Sequence, residues 1–414
     1  MAAFSPEAPP VSSTAPWLFI VGLGEDGRAG LSPAASAALD GAGLVVGGRR
    51  HLELAAPLAA ETLAWPSPLS DAYPTILARR GRPTCVLATG DPFHYGVGAE
   101  LARLVPAEEI AAFPHASAFS LAASRLGWPL AEVACLTLHG RALERVIPYL
   151  QPGARLLVLS WDGTTPEKLA GLLTERGFPR TRLTVLEAMG GPRERRRTAL
   201  AAGFAERGID PLNTVAVEVV AEPDARVIPL SAGLDDAWFE SDGQLTKAEI
   251  RAVTLAALRP RAGQLLWDVG AGSGSIGIEW SLRHPANRAV AVEARDERAA
   301  RIRRNARTLG VPDLAVVVGR APAVLAGLTA PDAAFIGGGV SDPALVAAVL
   351  EALPAGGRLV ANAVTLESEA VLLRLHAERG GTLRRLSVAR AEPVGGLTGW
   401  RPAMPVTQWA LTKP

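Results

Sequence analysis

The residues best placed to do chemistry lie at 265–280, LLWDVGAGSGSIGIEW. Leu265-Leu266-Trp267 reads as a buried parallel strand, Gly270, Gly272 and Gly274 make a tight turn, and the residues from Ser275 to Trp280 have helical spacing. Bare glycines let a ligand lie against the backbone, and the helix start beyond them offers unpaired N–H groups and the positive end of its dipole. Glu293 ends the next apolar run, 288–292, about 20 residues past the first glycine, where a carboxylate accepts hydrogen bonds from the ribose hydroxyls of an adenosine ligand. Two ligand classes use this geometry. A dinucleotide sets its pyrophosphate at the turn, whereas S-adenosylmethionine sets its uncharged ribose and its methionine end there. The glycines leave both open, along with a turn that merely joins strand to helix.

Two stretches nearer the N-terminus share this character. The apolar run 17–21 is followed by Gly22-Leu23-Gly24-Glu25-Asp26-Gly27, a weak signal alone, because many turns carry two glycines. The run 84–88 is followed by Thr89-Gly90-Asp91-Pro92-Phe93-His94-Tyr95-Gly96, a sharp turn at a strand's carboxyl end, where α/β sheets bind ligands. Beyond it, Ser117-Ala118 opens a helix with small residues that expose N–H groups and hydroxyls. Four arginines within 193–197 either grip carboxylates in bidentate fashion or form the solvated start of a helix. His94 and His115 are proton carriers or hydrogen-bonded turn residues. Asp342, Glu367 and Glu369 have no His or Cys partners at ligand spacing, so no metal site is expected.

The elements that must position these residues alternate. Strands are expected at 17–21, 44–46, 84–88, 155–161, 183–188 and 213–220, with Ser32-Pro33 opening a helix between the first two. After a polar stretch marked by Pro and Gly comes a helix with Thr246 as N-cap and Glu249 completing a capping box. Strands at 265–267, 290–293, 315–318 and 333–336, and a turn into a further strand at 354–360, then alternate with helices, the signature of an open, mostly parallel sheet. A chain of 414 residues, 49% hydrophobic and 20% charged, has room for two or three domains. We read a disordered tail at 1–15, domains at 16–222 and 239–414, and a linker at 223–238.

Composition bounds the function as well. A net charge near +1 and only 5% aromatic residues give no basic stripe with interleaved rings, so neither nucleic acid nor an acidic membrane is an expected partner. Cys85 and Cys135 show no C-x-x-C pattern, which excludes a disulfide framework or zinc knuckle. The N-terminal stretch lacks the basic start and apolar core of a secretory signal, and no run of 18 apolar residues occurs, so the expectation is a soluble, cytoplasmic protein.

The order DVGAGSG, with Asp268 before the turn and Glu293 after the second strand, resembles methyltransferases rather than dehydrogenases. VGLGEDG, ATGDPFHYG and PHASAFSLAASRLGWP, in this order, resemble the tetrapyrrole methylase family, in particular the branch that methylates precorrin-6Y at C-5. LTKAEIR, DVGAGSGSIGIEW, FIGGG and ANAVTLESE are similar to the decarboxylating C-15 methylases of the same substrate. One position departs from the first pattern: Glu25 stands where that family usually has Pro.

The resemblance implies an N-terminal two-lobed tetrapyrrole methylase fold and a C-terminal Rossmann-like methyltransferase fold, an α/β protein throughout. It implies a bifunctional enzyme of cobalamin synthesis that converts precorrin-6Y to precorrin-8, with methylation at C-5 and C-15 and decarboxylation of the C-12 acetate. A methylase of another acceptor, such as RNA, is the alternative. S-adenosylmethionine is implied at two sites. One comprises Gly22, Gly24, Gly90, Asp91, Pro92, Ser117 and Ala118; the other comprises Thr246, Gly270, Ala271, Gly272, Ser273, Gly274, Glu293 and Ala321. Gly337, Gly338 and Gly339 would let the macrocycle lie against the backbone. Arg251, Arg295, Arg320 and Arg401 are candidates for the substrate's carboxylates, each with a solvated reading beside it, and a homo-oligomer is implied. No catalytic side chain is assigned.

Overall fold

The computed structural model describes residues 15–414, so all but the last residue of the expected tail lies outside the described residues. The chain forms two compact units. One comprises the described residues up to Arg141 together with Pro152–Ala225, and the other comprises Ala142–Gln151 with Arg226–Pro414.

The first unit contains two sheets. Strands β1 (Leu18–Leu23), β2 (Leu44–Gly47), β3 (Glu61–Ala64), β4 (Thr84–Thr89) and β5 (Ile110–Phe113) form a sheet of order β3-β2-β4-β1-β5, parallel throughout. Alternate residues face opposite sides, so Leu18, Ile20, Leu44, Val46 and Val86 fill one core, while Val21, Leu23, Val45 and Leu87 fill the other. A parallel sheet covered on both faces calls for the near-continuous apolar runs that the sequence shows. Ser32 caps the helix Pro33–Asp40 as expected, its Oγ accepting the Ala35 N–H at 3.2 Å. Because β1 pairs with both β4 and β5, the carboxyl ends of all three lie side by side.

The second sheet consists of β6 (Val133–Thr137), β7 (Arg155–Leu159), β8 (Arg182–Glu187), β9 (Arg195–Leu200) and β10 (Asn213–Glu218), in the order β6-β7-β10-β8-β9. Only the β6–β7 pair is parallel. The arginine run is not a helix start, because Arg195, Arg196 and Arg197 belong to β9. Buried Glu187 on β8 draws both Arg195 and Arg197 alongside it at 2.8 Å. Burial alone would raise the Glu187 pKa, but the two guanidinium groups and the Asp210 N–H hold it below the usual carboxylate range.

The second unit is built on β11 (Leu265–Val269), β12 (Arg288–Glu293), β13 (Ala315–Val318), β14 (Ala333–Ile336), β15 (Arg358–Ala363), β16 (Thr382–Leu386) and, beyond a separate hairpin of β17 (Ala389–Val394) and β18 (Leu397–Pro402), β19 (Val406–Thr412). The sheet order is β13-β12-β11-β14-β15-β19-β16, with the first five strands parallel and β19 antiparallel to both neighbours. The chain leaves β11 toward β12 and leaves β14 toward β15. The sheet's direction of winding therefore reverses between β11 and β14, the place where such folds bind ligands. Trp267, Trp280 and Trp409 are fully buried in this unit.

The expected cap at Thr246 is not formed. The helix spans Ala248–Leu258 with Lys247 as N-cap and no side-chain cap. Its would-be partner Glu249 is drawn off by Arg390, and the Thr246 carbonyl is taken by Arg251. Among the described residues, no helix is long and apolar enough to cross a membrane.

Candidate active sites

In the second unit the turn after β11 and the turn after β14 meet. Gly270 has φ +71° and sits so close to the next turn that a Cβ there would lie 2.9 Å from the Gly338 nitrogen. Gly338 itself faces open space, with no atom within 4 Å of where a Cβ would stand. Around these turns lies a cavity of about 1120 Å³ lined by Thr246, Gly270, Ala271, Gly272, Ser273, Glu293, Ala321, Gly337, Gly338 and Gly339. Gly274 is not part of the lining; it starts the helix Ser275–Leu282 at φ +77° against Ile302.

Glu293 is 5% exposed, and its carboxylate accepts the Gly272 N–H at 2.9 Å and the Arg295 N–H at 3.0 Å. Two further acceptor positions on that carboxylate stay available to ligand hydroxyls. The segment carrying Thr246 is tethered from the other side. Arg298 bonds Asp242 and Gln244, each at 2.7 Å, and Arg298 holds the Asp242 carboxyl down at about 2 although burial opposes this.

Asp268 lies at the floor of the same cavity, 1% exposed, and accepts the Gly277 N–H at 2.9 Å. Burial pushes its pKa up to about 7, offset in part by that hydrogen bond. The folded chain therefore holds this proton more tightly than the unfolded chain, so the group favours folding below the ordinary Asp pKa and loses that contribution as pH rises toward 7. We predict that Asp268→Asn flattens the pH dependence of the second unit's melting temperature between pH 4 and 7.5. A slope unchanged from the parent chain would refute this origin.

The four arginine candidates separate. Arg251 is fully buried and bonds Glu279 and Asp236, both at 2.7 Å, and the carbonyls of Leu234 and Thr246, so it is neither a substrate ligand nor solvated. A buried guanidinium requires such partners. Arg401 pairs with Glu392 within the hairpin, and Arg295 lies outside the cavity lining. Arg320 lines the cavity, and nothing among the described residues is paired with it.

In the first unit the three expected segments converge at the carboxyl ends of β1, β4 and β5. A Cβ on Gly22 would fall 1.9 Å from the Gly90 oxygen and 2.6 Å from the His115 nitrogen, two atoms that are themselves bonded at 3.2 Å. A Cβ on Gly24 would meet the Asp26 carboxylate and the His115 ring, while one on Gly90 would meet the Ser117 Cα. Asp91 and Pro92 shape the turn, Asp91 by accepting the Phe93 N–H at 2.8 Å. The helix Ala118–Leu126 starts as expected, but the Ser117 hydroxyl is its cap, accepting the Ser120 N–H at 3.1 Å.

His115 approaches Asp26 at 3.4 Å, and His94 rests on the rings of Tyr95 and Phe119. Glu25, in the usual proline's place, pairs with Arg50 and Arg193, and Arg193 also pairs with Asp210. Three arginines of the run, Arg193, Arg195 and Arg197, thus pair with carboxylates of the first unit, while Arg196 donates to the Arg125 carbonyl. Sequence reasoning missed Arg50 and His51, which follow β2 directly; their place at a strand's carboxyl end was the available signal. It also missed Asn362 and Asp342 on the cavity wall of the second unit. Among the described residues there is no group of three or more His, Cys, Asp or Glu suited to a metal.

Comparison with known proteins follows the same division. Residues 18–204 match the tetrapyrrole (corrin/porphyrin) methylases, and residues 237–413 match the precorrin methyltransferase domain. A Sinorhizobium protein named precorrin-6Y C(5,15)-methyltransferase (decarboxylating) is 56% identical over 414 residues, covering 100% of both chains. A probable cobalt-precorrin-6B C(15)-methyltransferase (decarboxylating) of Pyrobaculum calidifontis is 38% identical over 188 residues, 43% of this chain and 96% of its own. A solved structure, the C-terminal domain of precorrin-6Y C5,15-methyltransferase from Rhodobacter capsulatus, is 47% identical over 45% of this chain and 100% of its own, with a TM-score of 0.43.

Proposed function

Since this chain belongs to the family of decarboxylating precorrin-6Y C(5,15)-methyltransferases of cobalamin biosynthesis, we propose that its two reactions are divided between two donor sites, one in each unit. On this reading the domain at 16–222 methylates C-5, and the domain at 239–414, after a linker at 223–238, methylates C-15 and removes the C-12 acetate carboxyl. The observation that carries it is the pair of bare-backbone cradles, Gly22 against Gly90 and Gly270 against Gly338, in sheets of different strand order. The half-length Pyrobaculum relative, named for C(15) methylation and decarboxylation only, supports assigning that work to one domain.

S-adenosylmethionine supplies an already activated methyl group. The residues that would hold it in the second unit are Thr246, Gly270, Ala271, Gly272, Ser273, Glu293 and Ala321, with Gly274 starting the helix behind them. In the first unit they are Gly22, Gly24, Gly90, Asp91, Pro92, Ser117 and Ala118. The chain itself has to align a macrocycle carbon with the methyl group and exclude water, so no side-chain nucleophile is required. In each transfer a carbon–carbon bond forms as the carbon–sulfur bond breaks, and the methylated bridge carbon gives up its proton.

In the second unit Gly337, Gly338 and Gly339 leave a flat backbone wall for the ring, and Arg320 meets a side-chain carboxylate. When the C-12 acetate loses carbon dioxide, the electron pair of the broken bond passes into the conjugated ring, and a proton is taken up at the remaining carbon. The protein contributes desolvation of that carboxylate. A cytoplasmic homo-oligomer completes the reading, its assembly testable by light scattering on the eluting protein.

The test is incubation with precorrin-6Y and the methyl donor, followed by mass spectrometry. A gain of two methyl groups with the loss of one carbon dioxide is expected. The isolated segment 226–414, which keeps the Gly233, Leu234 and Asp236 partners of Glu279 and Arg251, should add a single methyl group and decarboxylate; if it binds the donor yet does neither, the division of labour is wrong.

A further inference from the structure

A cluster of side-chain amides stands behind the cavity wall of the second unit, apart from the residues that would hold the donor. Asn362 lies on β15, one step past the Ile336–Ala361 pair and so level with Gly337, and it lines the cavity. Its directly paired neighbour on β19 is Gln408, and Thr254 reaches both from the helix Ala248–Leu258. Thr254 and Gln408 are fully buried. Asn362 Nδ2 lies 3.0 Å from Thr254 Oγ1, while Gln408 Nε2 lies 3.2 Å from that oxygen and 3.1 Å from Asn362 Oδ1. Gln408 Oε1 is buried with no hydrogen-bond partner among the described residues.

These contacts admit one orientation of the two amides. Turning Asn362 alone would set donor against donor, and turning Gln408 alone would set oxygen against oxygen. Turning both would require the single hydrogen of the Thr254 hydroxyl to serve two carbonyl oxygens. It would also bury the Gln408 NH2 group without an acceptor, which is rarer and more costly than a buried carbonyl lone pair. Gln408 therefore gives its two hydrogens to Thr254 and Asn362, and Asn362 gives one of its own to Thr254. The second Nδ2 hydrogen of Asn362 has no partner among the described residues and is left to the cavity.

The wall that continues from Asn362 is apolar. Val364, one residue past β15, and Val406, at the start of β19, line the cavity together with Leu386 and Met404. A neutral donor in such surroundings binds more strongly than it would in water, and a carboxylate brought to it leaves its hydration behind. The inner nitrogens of a macrocycle face its own centre. A side chain standing beside the ring meets the rim instead, where the polar groups are acid side chains.

We propose that Asn362 is a substrate-binding residue of the second unit, donating a hydrogen bond to a carboxylate on the rim of the macrocycle, with Gln408 and Thr254 as its positioning residues. The inference rests on the reading that this unit carries the C-15 reaction. Two sources supply such a carboxylate: the C-12 acetate that is lost, and an acid side chain that is kept. Unlike the guanidinium of Arg320, a neutral amide fixes the direction of a carboxylate without offsetting its charge, which suits an acid that must give its electron pair to the ring.

The test uses the full chain with precorrin-6Y and S-adenosylmethionine, and follows C-15 methylation and carbon dioxide release separately by mass spectrometry. Asn362→Asp keeps an acceptor for Gln408 and can accept from Thr254, but puts a repelling charge where the free N–H was. Asn362→Ala removes the donor without adding charge. Loss of a hydrogen bond to a charged group should cost about tenfold or more. If the C-12 acetate is the source, carbon dioxide release falls by that factor relative to C-15 methylation, and a product with both methyl groups and the carboxyl retained accumulates. If a retained acid is the source, the KM for the macrocycle rises by that factor while the product ratio holds. Gln408→Met, which leaves Asn362 free to turn, should show the same signature at reduced size.

S-adenosylhomocysteine should bind all three variants as it binds the parent chain. The proposal is overturned if both Asn362 variants keep the parent's KM and product ratio, or if they weaken S-adenosylhomocysteine instead. Gly270→Ala is the control. Should it abolish C-15 methylation while the Asn362 variants are silent, only the role of Asn362 fails; should it leave C-15 methylation intact, the underlying assignment fails.

Discussion

Gly22→Ala is expected to yield a chain that adds one methyl group to precorrin-6Y instead of two while still releasing carbon dioxide. The added methyl would overlap the Gly90 oxygen at 1.9 Å and push into the His115–Gly90 hydrogen bond. Both of those atoms are backbone, held by strand pairing on either side, so the clash cannot be relieved by turning a side chain. The turns after β1, β4 and β5 must then separate, and with them the cradle of the first unit. C-5 methylation should fall at least a hundredfold, because alignment at near-attack distance is the main catalytic contribution here and a shift of about 1 Å costs roughly that much. The complementary change, Gly270→Ala, would collide with Gly338 and should instead remove C-15 methylation and carbon dioxide release. Two variants giving the same partial product would contradict the separation of the sites.

Glu279→Gln should be the most destabilising single change of charge in the second unit. Glu279 and Arg251 are both fully buried, 2.7 Å apart, and Glu279 also accepts the N–H groups of Gly233 at 2.7 Å and Leu234 at 3.0 Å. Removing one member of a buried pair strands the other charge, at a cost of about 3–5 kcal/mol. In a domain of this size that lowers the melting temperature by on the order of 10 °C. Arg251 also holds the Thr246 carbonyl, so the cavity wall should loosen, weakening donor binding in the second unit while C-5 methylation persists. Calorimetric melting with both product masses checks this. A loss of under 1 kcal/mol would mean that the pair is hydrated in solution. Arg251→Met combined with Glu279→Leu should be less damaging than either single change, since no lone charge remains.

The same ion pair shows where reading the chain reached its limit. The sequence presents Arg251 as an ordinary helical arginine near a ligand site, indistinguishable from Arg320. Its partner Glu279 lies 28 residues away, on a helix whose apolar surroundings give no sign that a carboxylate faces inward. Likewise Arg195 and Arg197 read as a solvated charge run until β8 and β9 pair and set buried Glu187 between them. Thr246 followed by Glu249 satisfies the local rule for a capping box. The rule loses here because Arg390, 141 residues from Glu249 in sequence, takes the carboxylate that the box would use, while Arg251, five residues past Thr246, holds the Thr246 carbonyl.

What the sequence determined by itself is everything that depends on short spacing. Apolar runs ending in glycine gave strands and turns within a residue or two, Glu293 stood one strand beyond its turn, and two motif sets in order named the family and its chemistry. These signals are local because a strand, a turn and a helix start are each settled by a few neighbouring residues. Tertiary structure alone decided which turns touch, so that Gly270 met Gly338, and Gly22 met Gly90 and His115. It also decided which arginines are consumed by buried carboxylates and which, like Arg320, are left facing a cavity. Charge pairing and backbone contact depend on distance through space, and chain separation says nothing of that until the sheets have closed.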